Sequence, residues 1–225
     1  MQCFNQVIAM KDLPIRTKKF QLILKRLIDI IGSAVGLVVL SPLFLVVAVL
    51  IKIDSKGPVF FVQERVGKNG KLFRIIKFRT MIPGADEKTK GIYIDEKNPY
   101  ITRIGHFLRR WSIDELPELI NVLKGDMSLV GPRPTLEYQV RKYNDFQKKR
   151  LLVKPGITGW AQVNGRNRIT WPERIKLDVW YVEHWSFMLD MKILFKTIKV
   201  LFTKEEFTDI KTDEIAKRKN DEDNE

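Results

Sequence analysis

Residues 27–51 form an apolar run with no lysine or arginine and a single charge, Asp29. At roughly 25 residues the run exceeds the ~20 that a helix needs to cross the hydrocarbon core of a bilayer. Any fold for this chain must bury that run in protein or place it in lipid. A secretory signal fits poorly, because the polar arm before the run is long and a signal's apolar region spans only ~7–15 residues. An ordinary spanning anchor satisfies the hydropathy. Two details favour another geometry. Ser41-Pro42 stands near the middle of the run, where proline removes a backbone hydrogen bond and crowds the preceding turn. Lys18, Lys19, Lys25 and Arg26 precede the run, and Lys52, Lys56, Arg65 and Lys68 follow it, so the charges mark neither end for export. The expectation is a re-entrant helix–break–helix over residues 25–54, broken at Ser41 and Pro42, behind a basic arm at 1–24.

Beyond Gly57-Pro58 the pattern turns to β. Residues 59–65 and 72–78 are rich in Val, Phe and Ile, and Lys68-Asn69-Gly70 supplies a turn, which predicts a hairpin. Residues 83–99 are polar and rich in turn formers, and read as a loop with room for a short helix. Leu116, Leu119, Ile120 and Leu123 recur at helical spacing, with Gly125 as a stop. Residues 136–153 read as a basic helix, whereas the glycines of 154–167 exclude regular helix there. Residues 171–202 read as one amphipathic helical stretch. Its basic side suits an anionic membrane surface, with Trp180, Trp185 and Phe187 at headgroup depth, and equally suits a surface helix packed on the core. The whole is an α+β chain: a mainly helical, membrane-associated domain at 55–205 with a small β-hairpin, the N-terminal hairpin anchor, and a charged tail at 206–225.

Forty Lys+Arg against 27 Asp+Glu give a net charge of +13, which calls for an anionic partner: nucleic acid, lipid headgroups or a phosphorylated substrate. No recognition signature for nucleic acid is present. The one cysteine, Cys3, excludes an internal disulfide, and with only His106 and His184 a multi-histidine metal site is excluded too. A metal would be held by carboxylates, which points to a hard ion such as Mg²⁺. Asp114-Glu115 is the pair best placed for that. Ser112 to Glu115 also matches a helix capping box. However, Pro117 fits the first helical position better, which leaves both acids just ahead of a helix start whose dipole favours their ionised form. Adjacent acids there can bind Mg²⁺ and offer one oxygen as a nucleophile. Lys77, Arg79, Arg109, Arg110, Arg133 and Arg166 lie at element ends or in Gly/Pro-rich loops, positions that suit rigid phosphate recognition. A solvated or paired surface arginine is the plainer reading for each one alone.

Several motifs in one order carry a resemblance. They are Lys25-Arg26-Leu27-Ile28-Asp29, Ser41-Pro42, Gly57-Pro58-Val59-Phe60-Phe61, Gln63-Glu64-Arg65-Val66-Gly67 and Lys77-Phe78-Arg79-Thr80-Met81. Asp114-Glu115-Leu116-Pro117, Gly131-Pro132-Arg133-Pro134 and Lys154-Pro155-Gly156-Ile157-Thr158-Gly159 complete the set. From about residue 25 to 202 the chain resembles the bacterial sugar transferase family, in its small monotopic phosphoglycosyl transferase form. The resemblance implies a re-entrant helix, a catalytic domain on the cytoplasmic face of the bacterial inner membrane, contact with inner-membrane phospholipid, and Mg²⁺ dependence. It implies transfer of a sugar 1-phosphate from a UDP-sugar to a polyprenol (undecaprenyl) phosphate, by a ping-pong route that releases UMP and starts a lipid-linked glycan. Asp114 would be the nucleophile and Glu115 the residue that deprotonates or positions the acceptor. Arg133 and Arg166 match arginines near the substrate phosphates, and Lys77, Arg79, Arg109 and Asp190 match further polar positions. A homo-oligomer is compatible with this reading. The competing readings are a membrane-anchored protein that binds anionic lipid or nucleic acid without catalysis, and a conventional glycosyltransferase that releases UDP.

Overall fold

In the computed structural model, which describes residues 18–85, 98–165 and 169–202, the apolar run is two helices, α1 (Lys19–Val39) and α2 (Ser41–Asp54). They meet at Leu40 and are bent by 59°. Pro42, in the first turn of α2, has no N–H to offer the Val38 carbonyl; the Ser41 hydroxyl donates to it instead, at 2.8 Å. The break is thus built from both residues. No single described helix is long and apolar enough to cross a membrane, but the bent pair together has the length and composition of a broken span or a re-entrant loop. Phe20, Ile23, Ile31, Val35, Val38 and Val39 on α1 are exposed, as are Leu45, Val46, Val49 and Ile53 on α2. So broad an apolar surface marks contact with lipid or another protein.

The other side of each helix is rooted in the domain. Lys18, just before α1, and Lys25 on it donate to the carbonyls of Trp185 and Val130, both at 2.8 Å. Arg26 donates to the carbonyls of Val122 and Leu123, at 2.7 and 2.9 Å. Asp29, only 3% exposed, accepts from the Ser128 hydroxyl and the Leu129 N–H. The cations read as a membrane flank are therefore also fasteners. On α2, Val47 and Ile51 are buried against Phe78 and Leu108, and the Phe44 ring meets Phe78 edge-on at 5.1 Å.

The predicted hairpin forms as β1 (Phe60–Val66) and β2 (Leu72–Phe78), antiparallel, with Phe60 opposite Phe78 and Val66 opposite Leu72. Its first strand starts one residue later than read. Helix α3 (Arg103–Arg110), a 3-10 turn (Ile113–Glu115) and α4 (Glu118–Lys124) follow, and α4 stops at Gly125, whose φ of 92° needs no Cβ. The Asn121 side chain ties α4 to β2, accepting from the Ile76 N–H and donating to the Arg74 carbonyl. A second small sheet, absent from the sequence reading, pairs β3 (Ser128–Val130) in parallel with β4 (Gly156–Thr158).

Residues 136–153 are not one helix. They form α5 (Glu137–Val140), α6 (Asp145–Lys148) and a 3-10 turn (Lys149–Leu152), because Asn144 caps a fresh start by accepting from the Gln147 N–H. A five-residue helix, α7 (Trp160–Asn164), lies within the glycine-rich stretch. The C-terminal stretch divides into α8 (Trp171–Glu183) and α9 (Phe187–Phe202), with the Ser186 hydroxyl accepting from the Leu189 N–H at the restart. Trp185, expected at headgroup depth, is instead a core residue packed with Tyr181, Val182 and Ile193. Helix α9 packs on the core through buried Ile193, while Met188, Phe195 and Ile198 on it are exposed. The fold is α+β, mostly helical with two small sheets. The 83–99 loop lies in part, and the 206–225 tail wholly, outside the described residues.

Candidate active site

Asp114 and Glu115 sit on the 3-10 turn, entered through Ser112 in the left-handed region (φ 55°). A non-glycine residue there costs about 1–2 kcal/mol, and such strain gathers at functional sites. Three further elements converge on the turn. The end of β2 brings Lys77, whose Nζ lies 2.7 Å from Glu115 Oε1 and 3.1 Å from Glu118 Oε1. The Gly131-Pro132-Arg133-Pro134 loop brings Arg133, whose guanidinium grips both Glu115 oxygens. Helix α3 brings Arg109, which donates from Nε to the Thr80 hydroxyl at 2.8 Å and acts on the Asp114 charge.

Arg133 is held by its backbone. The Gly131 N–H donates to the Thr158 carbonyl and the Gly156 N–H to the Pro132 carbonyl. A Cβ on Gly131 would fall 2.3 Å from the Lys154 carbonyl oxygen, so the two loops approach this closely only without side chains. Arg150, buried and paired with Asp178 at 2.5 Å, donates to the Arg133 carbonyl.

The three acids differ sharply. Burial would raise the Glu115 carboxyl, but Arg133 and Lys77 hold it well below the usual carboxylate range. Burial and the neighbouring Glu115 charge push Asp114 up to about 6, against the pull of Lys77, Arg109 and Arg133. Glu118, 2% exposed and not singled out from the sequence, is pushed by burial up to about 7 despite Lys77. The ionised form expected of Asp114 is thus opposed by burial and by the Glu115 charge. Glu118 was legible in principle, three residues after Glu115, a spacing that puts both on one helical face.

Of the predicted residues, Asp114, Glu115, Lys77, Arg109 and Arg133 come together. Two go elsewhere. Arg79 turns back to donate to the carbonyls of Ser55 and Lys56, at 2.8 and 2.6 Å, satisfying the exit of α2. Asp190 accepts from Lys25, the Tyr181 hydroxyl and Trp185 Nε1 in the core under α1. Arg166 lies outside the described residues. Both Glu115 oxygens are engaged, and no group of three or more His, Cys, Asp or Glu side chains among the described residues is placed to hold a metal. The Asp114 carboxylate accepts no hydrogen bond among the described residues. That donor set suits only an ion shared with substrate phosphates, the habit of Mg²⁺.

Among the described residues, clustered cations surround one carboxylate that is engaged and one that is not, an arrangement suited to an anionic substrate. Residues 20–204 match the bacterial sugar transferase family. Over 184 residues the chain is 47% identical to the uncharacterized sugar transferase EpsL of Bacillus subtilis, covering 82% of this chain and 90% of that one. It is 40% identical over 202 residues to the undecaprenyl-phosphate galactose phosphotransferase of Salmonella typhimurium, covering 84% of this chain and 42% of that one. Against the undecaprenyl-phosphate glucose phosphotransferase of Komagataeibacter xylinus it is 44% identical over 187 residues, covering 78% and 35%. The chain thus spans less than half the length of those two relatives. It belongs to the bacterial sugar transferase family and is a transferase.

Proposed function

We propose that this chain is a phosphoglycosyl transferase that moves a sugar 1-phosphate from a UDP-sugar to a polyprenol phosphate, releasing UMP and starting a lipid-linked glycan. Relatives named for galactose and for glucose phosphate transfer to undecaprenyl phosphate support the reaction and leave the sugar open. The observation that carries the mechanism is the division of labour in the acidic pair. Glu115 is clasped by Lys77 and Arg133, while the Asp114 carboxylate beside it accepts no hydrogen bond among the described residues. Neighbouring acids in unequal environments take unequal roles.

In the first half-reaction an Asp114 carboxylate oxygen attacks the sugar-bearing β-phosphorus. The bond from that phosphorus to the bridging oxygen breaks, and UMP leaves with that oxygen. A phosphosugar–aspartyl ester remains. In the second half-reaction an oxygen of the polyprenol phosphate attacks the same phosphorus, and the Asp114 carboxylate leaves. Glu115, held far below the usual range, is a poor proton acceptor; it positions Lys77 and Arg133 toward the substrate phosphates. Mg²⁺ bound with the diphosphate, with Asp114 as its protein ligand, would neutralise phosphate charge. The bent, apolar-faced α1–α2 pair supports a re-entrant anchor that keeps the site at the cytoplasmic face of the inner membrane, within reach of an acceptor that stays in the bilayer. Intact-mass analysis with UDP-sugars and no acceptor tests this. Wild type is expected to gain one phosphosugar and release one UMP, and Asp114→Asn to do neither. An adduct on Asp114→Asn, or release of UDP in place of UMP, overturns the mechanism.

A further inference from the structure

Among the described residues, Arg65 near this site makes no ion pair with a carboxylate. It projects from β1, and its Nη2 donates to Gln63 Oε1 on the same strand at 2.6 Å. Its Nε is buried and has no hydrogen-bond partner. No carboxylate stands at ion-pair distance from it among the described residues. Glu115, the acid nearest in role, is gripped by Lys77 and Arg133, and Glu118 faces Lys77. Arg133 itself acts on Arg65 as a like charge, so two guanidinium groups share one neighbourhood. Burial first, and then Arg133, bring Arg65 down to about 10, a cost that Glu118, Tyr138 and Glu115 offset only in part. Proteins rarely bury a cation with a vacant donor edge unless an anion completes it.

We propose that Arg65 is a phosphate-binding residue of this site, its Nε edge taking an oxyanion that a substrate supplies. The inference rests on the phosphoglycosyl transferase reading for the identity of that substrate, and for the phosphate on the buried, unpartnered Nε among the charges of Arg133, Glu118 and Glu115. Arginine suits the task because its planar donors match two phosphate oxygens at once. The oxyanion belongs either to the UDP-sugar diphosphate or to the polyprenol phosphate. Arg65 would also explain how Arg133 can be spared to hold Glu115: the ligand, once bound, relieves the repulsion between the two guanidinium groups.

The test uses the full chain in lipid nanodiscs, with Arg65→Gln and Arg65→Lys. Inorganic pyrophosphate serves as a probe that depends on no sugar chemistry. Pyrophosphate is expected to raise the melting temperature of wild type and to act on Arg65→Gln only at about tenfold higher concentration, with partial recovery in Arg65→Lys. Ligand-free Arg65→Gln should melt no lower than wild type, since the substitution removes an unanswered charge. Kinetics then locate the phosphate. An increase of about tenfold in KM for the UDP-sugar during adduct formation, with kcat little changed, assigns it to the donor; the same increase for polyprenol phosphate assigns it to the acceptor. Pyrophosphate acting equally on wild type and Arg65→Gln overturns the proposal, as does a lower-melting Arg65→Gln that keeps both KM values. Should wild type release no UMP while the pyrophosphate difference persists, Arg65 stands and the transferase mechanism falls.

Discussion

Under α1, Asp29 accepts two hydrogen bonds and Asp190 three, from Lys25, Tyr181 and Trp185. At the 3-10 turn the treatment of acids is the reverse. Asp114 accepts none among the described residues, Glu118 Oε1 has an ion pair without a hydrogen bond, and Arg65 Nε is orphaned nearby. Both groups are withdrawn from water, so burial does not separate them. Satisfaction does. The Asp29 and Asp190 clusters that fasten α1 are complete in the protein alone, whereas under the proposed function the cluster at the 3-10 turn is completed by its substrate.

That contrast can be broken by exchanging stability for chemistry. Asp114→Asn should abolish adduct formation and melt no lower than wild type, whereas Asp190→Ala should cost about 3–5 kcal/mol of stability by removing the buried carboxylate that Lys25, Tyr181 and Trp185 share. Denaturation in nanodiscs beside the adduct assay reads both, and a stable Asp190→Ala protein would erase the distinction. Asp29→Ala, which strands the Ser128 hydroxyl and the Leu129 N–H, should cost about 1–3 kcal/mol and leave the KM for donor unchanged. A pH series sharpens the other side. With burial and Glu115 holding Asp114 near 6, its ionised fraction falls as pH drops through that value, so adduct formation should decline about tenfold per pH unit below it. An ordinary aspartate would keep its rate to pH 5, and a flat profile from 7 to 5 would contradict the raised value. The smallest effect belongs to the bend. Ser41→Ala leaves the Val38 carbonyl unanswered, for about 1 kcal/mol or less, and should broaden the distance between spin labels at positions 23 and 53. An unchanged distribution would show that Pro42 alone sets the angle.

Much of this was legible from local pattern. The hairpin strands, the stop at Gly125 and the Ser41-Pro42 break each follow from signals within a few residues. What escaped depended on distant partners. Arg79 reads as a phosphate ligand at the end of a strand, yet the carbonyls at the exit of α2, some 20 residues earlier, claim it. Asp190 reads as a site residue, but Lys25 lies across the fold to meet it. The pairing of β3 with β4 could not be read, because three-residue parallel strands joined by a long crossover leave almost no periodicity. Arg65 stood in a recognised motif without a role, since an orphaned donor shows only when every neighbour is placed.

Asp54 accepts from the Ile104 N–H at 3.0 Å, at the start of α3, and α3 ends at Arg110, just before Ser112 turns the chain to Asp114. Eight helical residues rise about 12 Å. Helix α3 therefore acts as a ruler between the last turn of α2 and the Asp114 carboxylate. A helix is stiff along its axis, so the distance of Asp114 from the end of α2 is set by residue count, not by loop slack. One residue added to α3 would turn everything beyond it by about 100° and lift it by about 1.5 Å. Length here is a dimension of the chemistry.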